Sequence, residues 1–334
     1  MPYKPGPIPT TLEGLIRYVD EELNRIESRI IQQQVTIKEV SYAEPDKPRQ
    51  GMTVYADGTS WNPGSGEGFY YYDSNSGWQY MGSKDPYLEI AAGRTPNTFS
   101  VNKFGRTNNA DNGVVTDVWD GANDVTATWR APTAARTMKL WSSDNADKTA
   151  SVGASYIQMY GLQNWSASAE TSEVITMGGS ATVASQNQYV IVHRMKCLIS
   201  ASSGINVGII KCEASGDNNI IAQINAAEGQ TQMAIYGVSS RMTAYMTQYY
   251  VSLNKAVKAA GLDVKLLVNP NPEQDTDEWQ IKHTKGLIGD GTSDGIHPFK
   301  PYFKTTGPAI FKINVTSDTN DTAVDAGFDL IIET

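Results

Sequence analysis

The chain has 334 residues, enough to bury a full-sized core in one large or two medium domains. Charged residues make up 19% of it and the formal net charge is −9 at pH 7. That excess of acid argues against nucleic acid or an anionic membrane surface as partner, and no stretch approaches the ~18 apolar residues of a membrane span.

The opening, MPYKPGPIPTTLEG, has no apolar segment of a signal peptide. Pro2, Pro5, Pro7 and Pro9 forbid a helix there, and the segment is expected to be an extended arm lying on another surface. Thr10 and Thr11 offer an N-cap, and Glu13 stands three residues after Thr10, as a capping box requires. Leu12, Ile16, Val19, Leu23, Ile26 and Ile30 then recur at alternating spacings of four and three. This is a heptad seam with Ile16, Leu23 and Ile30 at a, and Leu12, Val19 and Ile26 at d. β-Branched residues at both positions favour three or more strands over two, and no buried polar residue specifies a dimer before the seam fails at Gln33. The expectation is a helix over about residues 10–38 that self-associates as a parallel homotrimer, through Leu12, Ile16, Val19, Leu23, Ile26 and Ile30. The alternative is one amphipathic helix packed on its own β-domain. Three short helices bury too little to hold alone, so the β-regions would share the interface.

YAEPDKPRQG (42–51) reads as a charged, proline-bearing linker. After it the period becomes two: MTVYADGTSW, a loop NPGSGEG, then FYYYD, SNSG and WQYMG. Asp57-Gly58 and Ser76-Gly77 are hairpin-type turn dipeptides, which gives a three-stranded meander. In FYYYD, Phe69 and Tyr71 face one way, Tyr70 and Tyr72 the other. So short a sheet draws its buried area from aromatics, so most of them are expected to be its core. Two other uses stay open: a sugar-stacking platform of Trp61, Tyr71 and Trp78, and a contact surface for another subunit.

From about residue 98 to 334 everything reads as β. VTATWRA, TMKLWSS, SYIQMYGL, EVITM, YVIVHRMKCLI, IIAQI, MTAYMTQYYVSL, AIFKINVTS and FDLIIET are examples, separated by turn signals such as Asp120-Gly121 and Ser215-Gly216-Asp217. No βαβ alternation is visible, so the expected fold class is mainly β: an antiparallel β-sandwich, jelly-roll-like, behind the helical stalk and the aromatic meander. The expected domains are 1–42, 43–97 and 98–334. SLNKAVKAAG is expected to end a long strand.

Signals of chemistry are few. Of three histidines, His193 lies mid-strand and is expected to be packed; His283 is placed at an exposed strand end and His297 in a loop. There is no HExxH, CxxC, GxSxG, Walker or GxGxxG pattern. Cys197 and Cys212 lie in apolar runs and are expected to be reduced, buried thiols. Asp290 and Asp294 in GDGTSDG are the better Ca²⁺ candidates but lack further acidic oxygens, and a solvated turn is the plainer reading. Two carboxylates in a glycosidase cleft are not positively suggested by any pattern. The expectation is a non-enzyme without cofactor or metal.

PGPIPTTLEGLIRYVDEELNRIESRI resembles the N-terminal attachment segments of tailed-bacteriophage virion proteins, especially of short-tailed phages. GMTVYADGTSWNPGSGEGFYYYDSNSGWQYMG is similar to a small aromatic repeat of phage fibre and head-decoration proteins. FGRTNN, VVTDVWD, KLWSSDNADKTASVGASYIQMYGL, SEVITMGGSATVAS, GIIKCEASGDNNIIAQINAAEGQTQMAIYGV and FDLIIET resemble, in that order, a family of marine phage structural proteins. The resemblance covers nearly the whole chain. It implies a virion component made in the host bacterial cytoplasm: a short tail fibre or tail-associated protein, or a capsid fibre or decoration protein. Its implied partners are itself, as a homotrimer, a tail adaptor or nozzle or the capsid, and a host-surface glycan. Rivals from other classes are a carbohydrate-binding module and a depolymerase.

Overall fold

The computed structural model describes residues 9–34, 40–81, 85–122, 124–200, 204–254, 260–274, 276–289 and 292–334. Apart from Pro9, the expected proline arm lies outside them, as does Asp290. The chain is mainly β and divides into two units, residues 1–85 and 86–334.

The first unit opens with helix α1, Leu12–Gln34. Leu15 N donates to the Thr11 carbonyl at 2.8 Å and Gly14 N to Thr11 Oγ1 at 3.2 Å, so the N-cap is Thr11 rather than Thr10. One residue of shift puts Gly14 at N3 and removes Glu13 from the capping box. The expected meander has a fourth strand: β1 (Val40–Ser41), β2 (Thr53–Ala56), β3 (Gly68–Asp73) and β4 (Gly77–Tyr80) lie in that order. β1 runs parallel to β2, and the linker supplies the crossover of about a dozen residues that a parallel pair needs. Tyr70, Val54 and Ala56 are buried, with Met52, Trp61, Trp78 and Tyr80 packed on them. The Tyr70 hydroxyl donates to Gly66 O at 2.8 Å and accepts from Ser65 N at 3.0 Å, which pins the NPGSGEG loop over the core. Gly58, at φ +71°, permits this closure, since a Cβ there would sit 2.1 Å from Glu67 N.

The second unit begins with a short helix, α2 (Pro86–Ala91), which starts on a proline, where the missing N–H costs nothing. Two strands follow, β5 (Thr98–Ala110) and β6 (Val115–Asp117). Next come β7 (Arg136–Ser142), β8 (Ala154–Leu162), β9 (Thr171–Thr176), β10 (Val183–Tyr189), β11 (Ile191–Ser200), β12 (Ile210–Ala214) and β13 (Asn219–Ile224). The last group is β14 (Ile235–Val238), β15 (Thr243–Asn254), β16 (Ala260–Asn269), β17 (Gln280–Gly289), β18 (Thr292–Thr306), β19 (Ala309–Ser317) and β20 (Thr322–Glu333).

The body contains two sandwiches. β5 and β14 to β20 form sheets ordered β18-β15-β20-β5 and β14-β19-β16-β17, every neighbouring pair antiparallel. Counted along the chain, the eight strands run 6-3-8-1 and 2-7-4-5, the two-sheet order of a jelly roll. Its core takes Met246, Tyr249 and Val251 of β15 and Phe328 and Leu330 of β20 from one sheet, and Leu266, Phe311 and Ile313 from the other. β7 to β13 are inserted between β6 and β14. They form a second sandwich of sheets β10-β7-β12-β13 and β11-β8-β9 around Met138, Leu140, Ile157, Met159, Ile191 and Cys212. Its hairpins are stapled by Asp147, which is fully buried: Oδ1 accepts from Ala154 N and Val207 N, Oδ2 from Ser142 Oγ and Gly208 N, all at 2.6–2.8 Å.

The two cores share a layer. Along β19 the odd residues face the jelly-roll core, while Ile310 turns the other way into the inserted sandwich's core. Next to it lies a buried ion pair, Lys312 Nζ to Asp117 Oδ2 at 2.8 Å, with the Lys312 ammonium 4.0 Å from the centre of the Trp279 ring. Asp117 Oδ2 also accepts from Trp129 N at 2.6 Å, and Trp129 Nε1 donates to Ile221 O at 2.8 Å. This is why VTATWRA is not the strand its alternation predicts: its tryptophan is drawn down as a plug into the inserted core. Cys212 is buried as expected; Cys197 is only half-buried, and burial pushes its thiol up to about 11. His297 lies in β18 rather than a loop. β18 accommodates Pro298 and Pro301 because it is an edge strand, paired only with β15 and bulged beside Met246.

Two expectations follow for stability. Lys312→Met leaves a carboxylate buried without its cation and should cost about 3–5 kcal/mol in urea unfolding. Pairing it with Asp117→Leu should recover most of that loss; equal losses in single and double variants would refute the coupling. Asp120 is the second case. Its Oδ2 accepts from Gln232 N at 2.6 Å and its Oδ1 from Asn225 Nδ2 at 3.1 Å. Burial, and after it the Glu228 carboxylate, push Asp120 up to about 9 from 3.8, against the pull of the Gln232 amide. A raised pKa means the folded state holds the proton more tightly. The stability this gives is full below 3.8 and is lost as pH rises through about 9. The urea midpoint should therefore fall across that window in the wild type and fall less in Asp120→Asn.

Candidate functional site

The first candidate surface is the apolar strip of α1. Leu12, Ile16 and Leu23 are 77%, 67% and 59% exposed, and Val19 and Ile26 are exposed as well. Ile30 lies in the helix with its side chain outside those described. Leu15, which the heptad reading passed over, is exposed beside Ile16 and widens the strip. Arg17 and Glu21, at 3.0 Å, form a solvent-exposed pair on the same helix.

The second is the aromatic mini-sheet, where the structure separates the three residues of the alternative stacking platform. Trp78 stands opposite Tyr72 and Tyr80 opposite Tyr70, which places all four on the core side with Val54. Trp61 meets Trp78 edge to face at 5.3 Å, and Trp78 Nε1 donates to Glu44 Oε1 at 3.0 Å. The Asp57 carboxylate accepts from Ser60 N and Trp61 N, both at 2.8 Å, and so fixes where Trp61 leaves the turn. Tyr71 lies on the other face by strand alternation, with Phe69 and Tyr55. Trp61 and Trp78 are half-buried in packing; Tyr71 and Phe69 are exposed.

The third is a cleft of about 830 Å³ in the second unit, between β5 of the jelly roll and β11 of the inserted sandwich. β5 comes this close because of Gly105, where a Cβ would lie 2.3 Å from Ala234 N and 2.4 Å from Val118 O. One turn of pleat away, the buried Lys103 donates its ammonium to the carbonyl of His193. The His193 ring is itself buried; Nε2 pairs with Glu170, and the ring lies 4.5 Å from that of Tyr236. Burial alone would raise the Glu170 carboxyl, but His193, Lys103 and Arg194 outweigh it and hold it below the ordinary range. Burial drives Lys103 down to about 7. Arg194, exposed at the mouth, donates to Gln230 Oε1 at 3.2 Å and lies over the Tyr160 ring at 5.7 Å.

Sequence reasoning took His193 for a packed strand histidine and gave Lys103 and Glu170 no role. The only trace in the sequence is a lysine at an inward position of β5, in FSVNKFG, which alternation alone marks as odd. The other histidines meet elsewhere: His283 and His297 stack at 3.9 Å, and the Tyr249 hydroxyl lies 2.7 Å from His283 Nδ1. Burial, then the His283 and Lys285 charges, lower His297. Asp294 stands opposite Ser252 within β18. Among the described residues no group of three or more His, Cys, Asp or Glu is placed to hold a metal ion.

No family model matches the chain, and no curated protein matches it. Similar solved structures include two particle structures of infectious bursal disease virus, one of the Gt strain and one of the T13 viral particle. Each is 10% identical and covers 74% of this chain, with 78% and 74% of the other chain and TM-scores of 0.19 and 0.20. The VP2 subviral particle of the same virus is 9% identical over 74% of this chain and 77% of that one, with a TM-score of 0.17. Scores this low establish no equivalence of strands or sites.

The two faces of the mini-sheet should respond differently to truncation. Trp78→Ala removes packing and should destabilise residues 53–80 by about 3 kcal/mol, whereas Tyr71→Ala should cost under about 1 kcal/mol. Hydrogen exchange of the β2 to β4 amides reads this directly, and the reverse order would show Tyr71 to be the packing residue.

Proposed function

We propose that the chain is a structural subunit of a bacteriophage particle, joined to like chains as a parallel homotrimer through α1 and placed on the tail as a short fibre. The observation that carries this reading is the strip Leu12, Ile16, Val19, Leu23 and Ile26, exposed along the longer helix of a mainly β chain. Burying such a strip against two copies of itself removes apolar surface from water at about 25 cal/mol per Å². The order of a and d residues favours three strands over two. The sequence resemblance to short-tailed-phage virion proteins supplies the setting, and the exposed Tyr71 and Phe69 face gives the trimer a second surface to share.

A capsid or head-decoration role is the second reading, and the jelly roll favours it, since that architecture recurs in viral capsid domains as well as lectins. Fold alone does not fix function, so copy number in purified particles is the discriminator: a few dozen or fewer chains support the tail, hundreds support the capsid.

Sedimentation tests the trimer. The wild-type chain should run at three times its 36.4 kDa mass. The variant with Ile16, Leu23 and Ile26 replaced by Asp should run as one chain with its β-units folded, and should no longer join particles. Equal masses for the two proteins would end the trimer reading.

A further inference from the structure

The cleft between β5 and β11 holds polar groups whose capacity its own walls do not use. A lysine ammonium has three donors, and the His193 carbonyl takes one from Lys103. His193 Nδ1 is buried without a hydrogen-bond partner among the described residues. Leaving such groups dry and unpaired is costly, and each one calls for an explanation.

The charge is also unbalanced in one direction. Arg194 and, once protonated, Lys103 bring two cations, and Glu170 brings one carboxylate already engaged by His193. One further negative charge would neutralise the site; a dianion would overfill it. The remaining lining includes the aromatic residues Phe99, Phe104 and Tyr236 and the polar residues Ser100, Asn102 and Gln230. A volume of about 830 Å³ lies within the range of small-ligand pockets and has room for a hydroxylated ring rather than a bare ion.

We propose that this cleft binds a small carboxylate-bearing sugar of the uronic-acid class, its carboxylate received by Lys103 and Arg194 and its ring lying against Phe99 and Tyr236. His193 is a positioning residue: its carbonyl orients the Lys103 ammonium, and its ring, held by Glu170, forms the floor beside Tyr236. The site is complete within one chain and does not depend on self-association or on where in a particle the chain sits.

Titration calorimetry of the full chain with sodium glucuronate, with glucose as the neutral probe, tests it. Glucuronate should bind saturably, and glucose at least about tenfold more weakly, the loss of one charge-assisted contact. Lys103→Met should weaken glucuronate by a similar factor. Because Lys103 is buried, the exposed Arg194→Gln is the control for folding, and it should weaken binding with the urea midpoint unchanged. Ser168→Trp, at the exposed rim with both cations in place, should block entry. Near neutral pH the wild type should take up a proton on binding, because Lys103 lies at about 7 and a bound anion raises it. The heat should then vary with the ionisation enthalpy of the buffer. Equal binding of glucose and glucuronate, no saturation by glucuronate, or an Arg194→Gln variant that binds like wild type would each overturn the proposal.

Discussion

The Asp117–Lys312 pair sits where a strand of the jelly roll also serves as a wall of the inserted sandwich. β6 and β14 share one side of β19 end to end, β14 along Ala309–Lys312 and β6 along Asn314–Thr316. The chain leaves the jelly roll after β6 and re-enters it at β14. Asp117 ends β6, and its carboxylate binds both the returning layer, through Lys312, and the departing loop, through Trp129 N. A buried ion pair adds little net stability over an apolar pair of the same size. What it supplies here is a fixed exit: with Asp117 neutralised by Lys312, the Trp129 loop has one place to go, and the inserted sandwich is held to the β19 layer rather than tethered loosely to it.

The cleft is a consequence of that attachment. Two sandwiches docked along one layer leave a gap at their edges, where the outer strand β5 passes β11. Gly105 allows β5 to lie on the backbone of Val118 and Ala234, which brings Lys103 within reach of the His193 carbonyl. Interfaces between docked domains are where ligand pockets tend to form, because neither core fills the space. The helix α1 presents the opposite case, an apolar strip exposed along its described residues.

Much of this was legible in residues. Local periodicity marked α1, because an amphipathic helix writes its face every three to four positions. Alternation marked FDLIIET as part of β20 and TMKLWSS as β7, because each strand has one face in a core. Three of the mini-sheet's four strands follow the alternation in the sequence, which also sets Tyr71 apart from Tyr70 and Tyr72. Composition alone groups Tyr71 with Trp61 and Trp78 as an alternative platform, although parity of position sets Tyr71 on the face opposite Trp78. VTATWRA failed for a different reason, since alternation cannot foresee that a carboxylate from a neighbouring strand will seize the backbone of Trp129. The cap moved from Thr10 to Thr11 because both residues can cap, and only the first helical hydrogen bond chooses between them.

The sequence by itself determined the class of the protein: a helical segment with one apolar seam, a small aromatic sheet, and a long strand-rich body without motifs of metal or nucleophilic chemistry. These are properties of neighbours a few residues apart, and the forces behind them act over that range. Tertiary structure alone decided that the body is a jelly roll interrupted by a second sandwich, because β5 pairs with β20 more than two hundred residues later and nothing local encodes that partner. It alone also brought Lys103, Glu170 and His193 together from three separate segments. Each looks ordinary in its own strand or loop, and their chemistry arises only from their proximity at the seam between two cores.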